Sequence, residues 1–312
     1  MPARDRIRLA EFRQLCDSVQ DSCWPGWSRA PRSVLLVTDS LEYLVWHPRP
    51  DSDFVPCGYD SLLGTDVYVR PREFSAGIQA TFPYAGMPPT IVIGTADSLV
   101  PANSTSWVVT VMHEHFHQWQ DSRRGYFPAV DSLGLSGGDK TGMWMLNYPF
   151  PYDSAVVADR IERLCRSLAH LIQMQDLKVL HDDFGAYMAS RDSLMQSLAP
   201  ADQRYMSFQL WQEGVARYIE GRVARVAAST ENSSQAFEHL ADWHSYESVL
   251  QSYGKRLVAE LQQLRFSKAR RLAFYPMGAA EATVLERLRP DWPRAYGFPP
   301  LSLENLLKQA AQ

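Results

Sequence analysis

The chain has 312 residues, 46% of them hydrophobic and 21% charged, which is ordinary for a globular protein with length for one large core or two lobes. A formal charge of −4 supplies no basic stripe of the kind nucleic-acid binders carry, so no nucleic-acid partner is expected. No run of 18 apolar residues is present, so no membrane span is expected.

The opening MPARDRIRLAEFRQL is charged throughout and lacks the apolar stretch of a signal peptide. A cytoplasmic location is the default expectation, with a trimmed secreted or periplasmic domain as the alternative. The same segment predicts an amphipathic helix over roughly 5–20, followed by the connector CWPGWSRAP. The next eighty residues read as strands: SVLLVT, LEYLVW, DVYVR, IQATF and TIVIG are β-branched or aromatic runs separated by Pro, Gly, Asp and Ser. From 104 the spacing turns helical, with Ser104 or Ser106 available as the first N-cap and helices expected at 104–122, 154–176, 201–228, 235–266, 279–289 and 302–311. Residues 123–152 have no period. They include GLSGGDKTG, where Asp139 before Lys140 rules out a phosphate-binding P-loop. They also include GMWMLNYPFPYD at 142–153, which either lines a cleft or packs as core beneath a loop. The four cysteines form no C-x-x-C pair, so no zinc ribbon is expected and no disulfide is required.

The expected fold class is α+β. A mixed sheet over about 33–97 packs on the helix 104–122, and a mainly helical lobe follows. Residues 1–125 and 126–312 are the expected lobes, together forming one catalytic unit.

The chemistry is concentrated in VVTVMHEHFHQWQ at 108–120. His113-Glu114-His115-Phe116-His117 contains H-E-x-x-H, which arises by chance in on the order of one such chain in a hundred. On a helix His113 and His117 stand one turn apart on one face and can share a Zn²⁺ ion. Glu114 lies about 100° around, beside the metal, where it can accept a proton from bound water. His115 points about 200° away and is not a ligand.

A catalytic zinc needs a third protein ligand. The extended pattern H-E-x-x-H-x-x-G-x-x-H fails, because Gln120 and Arg123 occupy its Gly and His positions. No glutamate lies between Glu114 and Glu162, and Glu162 sits on an ordinary charged helix face. LWQEGVARYIEG at 210–221 is the better candidate, because Gly214 and Ala216 are small enough to let its helix approach another backbone closely. Glu213 and Glu220 share a helix face, so one carboxylate can reach the metal and the other can bond the free nitrogen of a ligand histidine. A surface helix with spaced charges is the alternative. Asp121 is placed either to orient a motif histidine or to sit as a surface acid.

HEHFH together with EGVARYIE resembles the gluzincins, zinc peptidases with two motif histidines and a downstream glutamate ligand. The second segment is similar to the NEGFAxYxE helix of the aminopeptidase and leukotriene hydrolase group. FYPMGAAEATVLERL at 274–288 is similar to that group's Tyr-x-x-Gly-Ala stretch, and the three segments come in the same order. The resemblance spans about 35 residues. It implies a thermolysin-like core, one catalytic Zn²⁺ on His113, His117 and Glu213, and Glu220 as a supporting acid. It further implies Tyr275 as the oxyanion-stabilising tyrosine and a peptide or protein as substrate. There are departures: the 95 residues 118–212 replace a short interval, and AGMPP at 85–89 has no acid to match the group's GxMEN segment.

On this reading Glu114 is the general base, and an extended peptide adds as a strand to TIVIG, the last strand before the helix. Two alternatives remain: a zinc hydrolase acting on a non-peptide bond, and a zinc-binding protein without turnover, against which the intact Glu114 argues. Oligomeric state has no sequence signal.

Overall fold

Six strands precede a mainly helical remainder in the computed structural model, which describes residues 1–48, 50–84, 89–98, 102–230, 233–297 and 299–312. Of the AGMPP stretch, only Pro89 is among the described residues. The chain divides into two compact units: Met1–Arg124 with Ile219–Ser252, and Gly125–Tyr218 with Tyr253–Gln312. Residues 219–252 therefore cluster with the sheet, although the sequence reading placed them in the helical lobe.

In the first unit, Val34–Val37 (β1), Leu41–Val45 (β2), Val55–Asp60 (β3), Thr65–Pro71 (β4), Gln79–Pro83 (β5) and Pro89–Gly94 (β6) form one sheet in the order β3-β4-β2-β1-β6-β5. β1 and β6 are parallel neighbours, and the other pairs are antiparallel. Both β1 and β6 are buried along their whole length, so their sequences are apolar without alternation. Leu35, Val37, Leu44 and Val92 share one face, where they pack with Phe54, Ile78 and Phe82. The period of two then puts Val34, Leu36, Thr81, Ile91 and Ile93 on the other face.

That second face carries the helix Ser104–Ser122, which holds the H-E-x-x-H sequence and is buried on nearly every side. Its polar side chains must therefore find partners. Trp107 Nε1 donates to Gly94 O at 2.7 Å, and Gln118 Nε2 donates to Ser33 O at 2.9 Å and Pro89 O at 2.8 Å. These bonds pin the motif helix to the two ends of β6.

Three sequence expectations are corrected here. TIVIG is not an edge, because β6 lies between β1 and β5; the edge strand on this side is β5. The strand β3 was not foreseen, since Pro56 and Gly58 are poor strand formers. A register shift between those two residues absorbs them on the opposite edge. The motif helix is capped by Asn103, whose Oδ1 accepts from Ser106 N at 2.8 Å, and not by Ser104 or Ser106.

Ser104 Oγ donates instead to Asp242 Oδ1 at 2.7 Å, and Thr105 Oγ1 donates to His244 O at 2.6 Å. Those contacts explain a fourth correction. The expected helix 235–266 is interrupted, being helical only at Gln235–Glu238 and Tyr246–Gln263. The break brings Asp242 and the His244 carbonyl to the start of the motif helix.

The second unit is helical: Ala155–Leu171, Leu177–Ser197, Pro200–Gln209, Phe274–Leu288 and Glu304–Ala310 are its longer elements. Within 142–153, Trp144, Phe150 and Tyr152 are buried, while Met143 and Leu146 are exposed. Phe150 and Tyr152 lie against Phe266, and Phe150 also meets Tyr205 and Phe274.

The closest backbone approach joins Leu210–Gly214, a π-helical turn, to Phe274–Leu288. A Cβ on Gly278 would lie 2.7 Å from Gly214 Cα and 2.7 Å from Leu210 O, and one on Gly214 would lie 2.4 Å from Gly278 Cα. Backbone cannot yield as a side chain tip can, so both positions need glycine. Gly278→Ala should cost about 1–3 kcal/mol as overpacking. Thermal melting reads this, at about 2–4 °C per kcal/mol for a chain of this size; an unchanged Tm would mean that the two backbones are not in contact.

Candidate metal centre

His113 and His117 stand one turn apart on the motif helix, and both are buried, at 6% exposure each. His113 Nδ1 lies 2.9 Å from Glu220 Oε1, and His117 Nδ1 lies 2.7 Å from Gln120 Oε1. Both partners are acceptors. That arrangement suits the tautomer with the proton on Nδ1 and the lone pair on Nε2. The two Nε2 atoms face each other 3.2 Å apart. In that tautomer two lone pairs would meet at this distance, and a cation shared between them would remove the repulsion. Two nitrogens held about 2.0–2.1 Å from one tetrahedral ion would stand about 3.3–3.4 Å apart, close to the observed spacing.

The third donor comes from a long helix. Pro200–Gln209, the π-helical turn Leu210–Gly214 and Val215–Thr230 follow one another directly. Glu213 lies in the π turn and Glu220 about two turns further on, so one helix fixes the two carboxylates relative to each other. Glu220 is already bonded to His113, and Glu213 comes with it. Ligand atoms of His113, His117 and Glu213 all lie within 4.8 Å of one another. These three residues could hold a metal ion. Two imidazole nitrogens and one carboxylate oxygen are ligand types that divalent metals accept.

Glu114 is 5% exposed and sits beside this cluster on the motif helix. Thr81 Oγ1 lies 2.8 Å from Glu114 Oε2 and 2.9 Å from Glu114 O. His115 points elsewhere, as expected. It stacks on Trp27 with ring centroids 5.3 Å apart, meets the edge of Phe12, and bonds Gln118 and Gln20. Complete burial pushes its pKa down to about 4, so it stays neutral.

In the second unit, Tyr275 opens the helix Phe274–Leu288 next to the glycine crossing, which brings it to Glu213. Arg271 Nη1 donates to Tyr275 Oη at 2.7 Å and reaches Glu213 Oε1 at 3.5 Å. The Tyr275 hydroxyl also hydrogen-bonds Glu213. Burial, and then the Glu213 charge, push the phenol well above its ordinary range, so it remains a donor.

Asp121 is not a surface acid, being 8% exposed. The residue found at His117 Nδ1 is its neighbour Gln120. Sequence reasoning missed Gln120, Thr81 and Arg271. For Gln120 a signal existed: HEHFHQWQ holds His-x-x-Gln twice, and both the His115–Gln118 and His117–Gln120 pairs form. Arg271 precedes Tyr275 by four residues, but the turn Arg270–Ala273 between them gave no helical pattern to read. Thr81 had none, because its role depends on which strand is the edge.

Of the remaining side-chain clusters, Arg191, Glu281 and Tyr187 form a buried set in the second unit, with Tyr187 Oη 2.6 Å from Glu281 Oε1. They tie Leu177–Ser197 to Phe274–Leu288 and so brace the helix that carries Tyr275. Compared with family profiles, curated proteins and solved structures, the chain finds no match in any of the three.

Proposed function

We propose that the protein is a zinc-dependent hydrolase of peptide bonds. The observation that carries this reading is the pair of Nε2 atoms held 3.2 Å apart with both Nδ1 atoms engaged, beside Glu213 and directly adjacent in sequence to Glu114. Bound zinc would lower the pKa of a coordinated water and polarise the scissile carbonyl. His113, His117 and Glu213 would hold the ion, with Glu220 and Gln120 keeping the imidazoles in the binding tautomer and orientation. Glu114 accepts the proton of the attacking water and returns it to the leaving amine. Tyr275 donates to the oxygen that gains charge as the carbonyl is attacked.

The edge strand β5 suits an extended peptide. Gly94 N donates to Ile78 O at 2.9 Å, which makes Ile78–Gly94 a hydrogen-bonded pair. Alternation along the antiparallel ladder then makes Ala80–Val92 and Phe82–Thr90 bonded pairs too. The N–H and C=O of Thr81 therefore point away from β6, and no other described strand pairs with them. A substrate strand can add there, beside Glu114.

Digestion of a mixed-peptide library read by mass spectrometry, with and without a chelator, tests the reading. Chelator-sensitive cleavage is the expected result, within chains for an endopeptidase or from one end for an exopeptidase. A zinc-loaded protein that cuts no peptide would point to a non-peptide bond or to a site without turnover.

A further inference from the structure

Thr81 lies directly against Glu114, the base of the proposed reaction. It sits in the middle of β5, on the sheet face that carries the motif helix, and its hydroxyl reaches both the carboxylate and the main-chain carbonyl of Glu114. A hydroxyl has one proton to give. Here it is shared between Oε2 at 2.8 Å and the carbonyl at 2.9 Å. The carbonyl contact anchors the threonine to the helix, and the carboxylate contact anchors the glutamate to the strand.

We propose that Thr81 is a positioning residue that locks Glu114 in its proton-accepting rotamer and couples it to the edge of β5 on which substrate is held. The proposal rests on the reading of Glu114 as general base. It divides the work of the two carboxylate oxygens: Oε2 is held by the strand, and Oε1 takes the proton. The same residue offers its outward N–H and C=O to the open edge. A bound peptide strand therefore pairs with the residue whose side chain aims the base, and the register of the substrate sets the distance from its scissile bond to Glu114. Glu114 has several rotatable bonds and would otherwise sample other staggered positions. Proton transfer needs heavy atoms within about 2.6–3.2 Å, so an unlocked carboxylate spends part of its time out of reach.

The test uses Thr81→Val, which keeps the β-branched shape and removes the hydroxyl, and Thr81→Ser, which restores it. With a peptide that the wild type cleaves, Thr81→Val should lower kcat about 10–100-fold, the scale on which catalytic groups suffer from small misplacement. KM, zinc content and Tm should stay near wild type, and Thr81→Ser should recover most of the lost kcat. A second readout needs neither metal nor substrate. In the zinc-free protein, the side-chain carboxyl ¹³C signal of Glu114, identified by its absence in Glu114→Gln, should move in Thr81→Val and return in Thr81→Ser. A Thr81→Val enzyme within about threefold of wild-type kcat would overturn the proposal, being far short of a misplaced base. So would a rise in KM alone, which would make Thr81 a substrate-edge residue only, and so would an unmoved Glu114 signal. A wild type without any turnover is a different failure: it defeats the peptidase reading itself, while the Glu114 signal still shows whether the contact exists.

Discussion

Glu114→Gln should leave the protein folded and zinc-loaded while cutting kcat by about 10²–10⁴-fold, the usual contribution of a positioned acid or base. Glutamine has the same length and keeps an oxygen that can accept from Thr81, so the packing around this 5%-exposed position is preserved. What it lacks is a site that can take a proton at neutral pH. His113 and His117 keep their own partners, Glu220 and Gln120, and neither partner depends on Glu114. Loss of zinc together with activity would make Glu114 part of the metal's support. Full activity with full zinc would remove it from the chemistry.

Tyr275→Phe should lower kcat and kcat/KM together by about 10²–10³-fold, the cost of one lost oxyanion donor, with KM little changed. The hydroxyl is prepared for this work. Burial and the Glu213 charge keep it protonated, and Arg271 holds its oxygen from the other side. The phenylalanine ring preserves the packing at the start of the helix Phe274–Leu288, so melting should not change. A variant that melts normally and turns over within about threefold of wild type would fall far short of that penalty. It would leave Tyr275 as a structural partner of Arg271 and Glu213.

The parts of this architecture that could be read from sequence are those whose residues obey one local rule. β1 and β6 are apolar runs bounded by turn residues, and the motif helix carries its chemistry at helical spacing. The helix Leu177–Ser197 obeys a helical period as well, burying Leu180, Phe184, Tyr187, Arg191 and Leu194. It escaped notice because one of those core positions is an arginine, neutralised by Glu281 and Glu304 from distant stretches of chain. No local pattern announces such a partner. The same reason hid β3, whose strand state depends on pairing with β4, and the interruption at 239–245, which depends on Ser104 and Thr105.

The candidate site divides in the same way. His113, Glu114 and His117 lie within one helical turn and need no tertiary information. Glu213 and Glu220 could be picked as a pair from their spacing. The π-helical turn at Leu210–Gly214, however, has no sequence signature comparable to H-E-x-x-H, and such turns often occur at functional sites. Gly214 was legible as a point of close approach, and its partner Gly278 turns out to lie three residues after Tyr275. The edge of the sheet was misread because order in a sheet is not order in sequence. TIVIG is the last strand along the chain but an interior strand in space. Moving the edge to β5 is what brings Thr81 to Glu114.

Everything in the proposed function depends on His113, His117 and Glu213 together binding one zinc ion. The most direct test of that binding is zinc content per chain, by elemental mass spectrometry, after dialysis against a competing chelator, for the wild type and Glu213→Ala. One zinc per wild-type chain is expected, with a large loss in Glu213→Ala, because two imidazoles alone make an incomplete site. A wild type that retains no zinc, or a Glu213→Ala variant that retains it as firmly as the wild type, would contradict it.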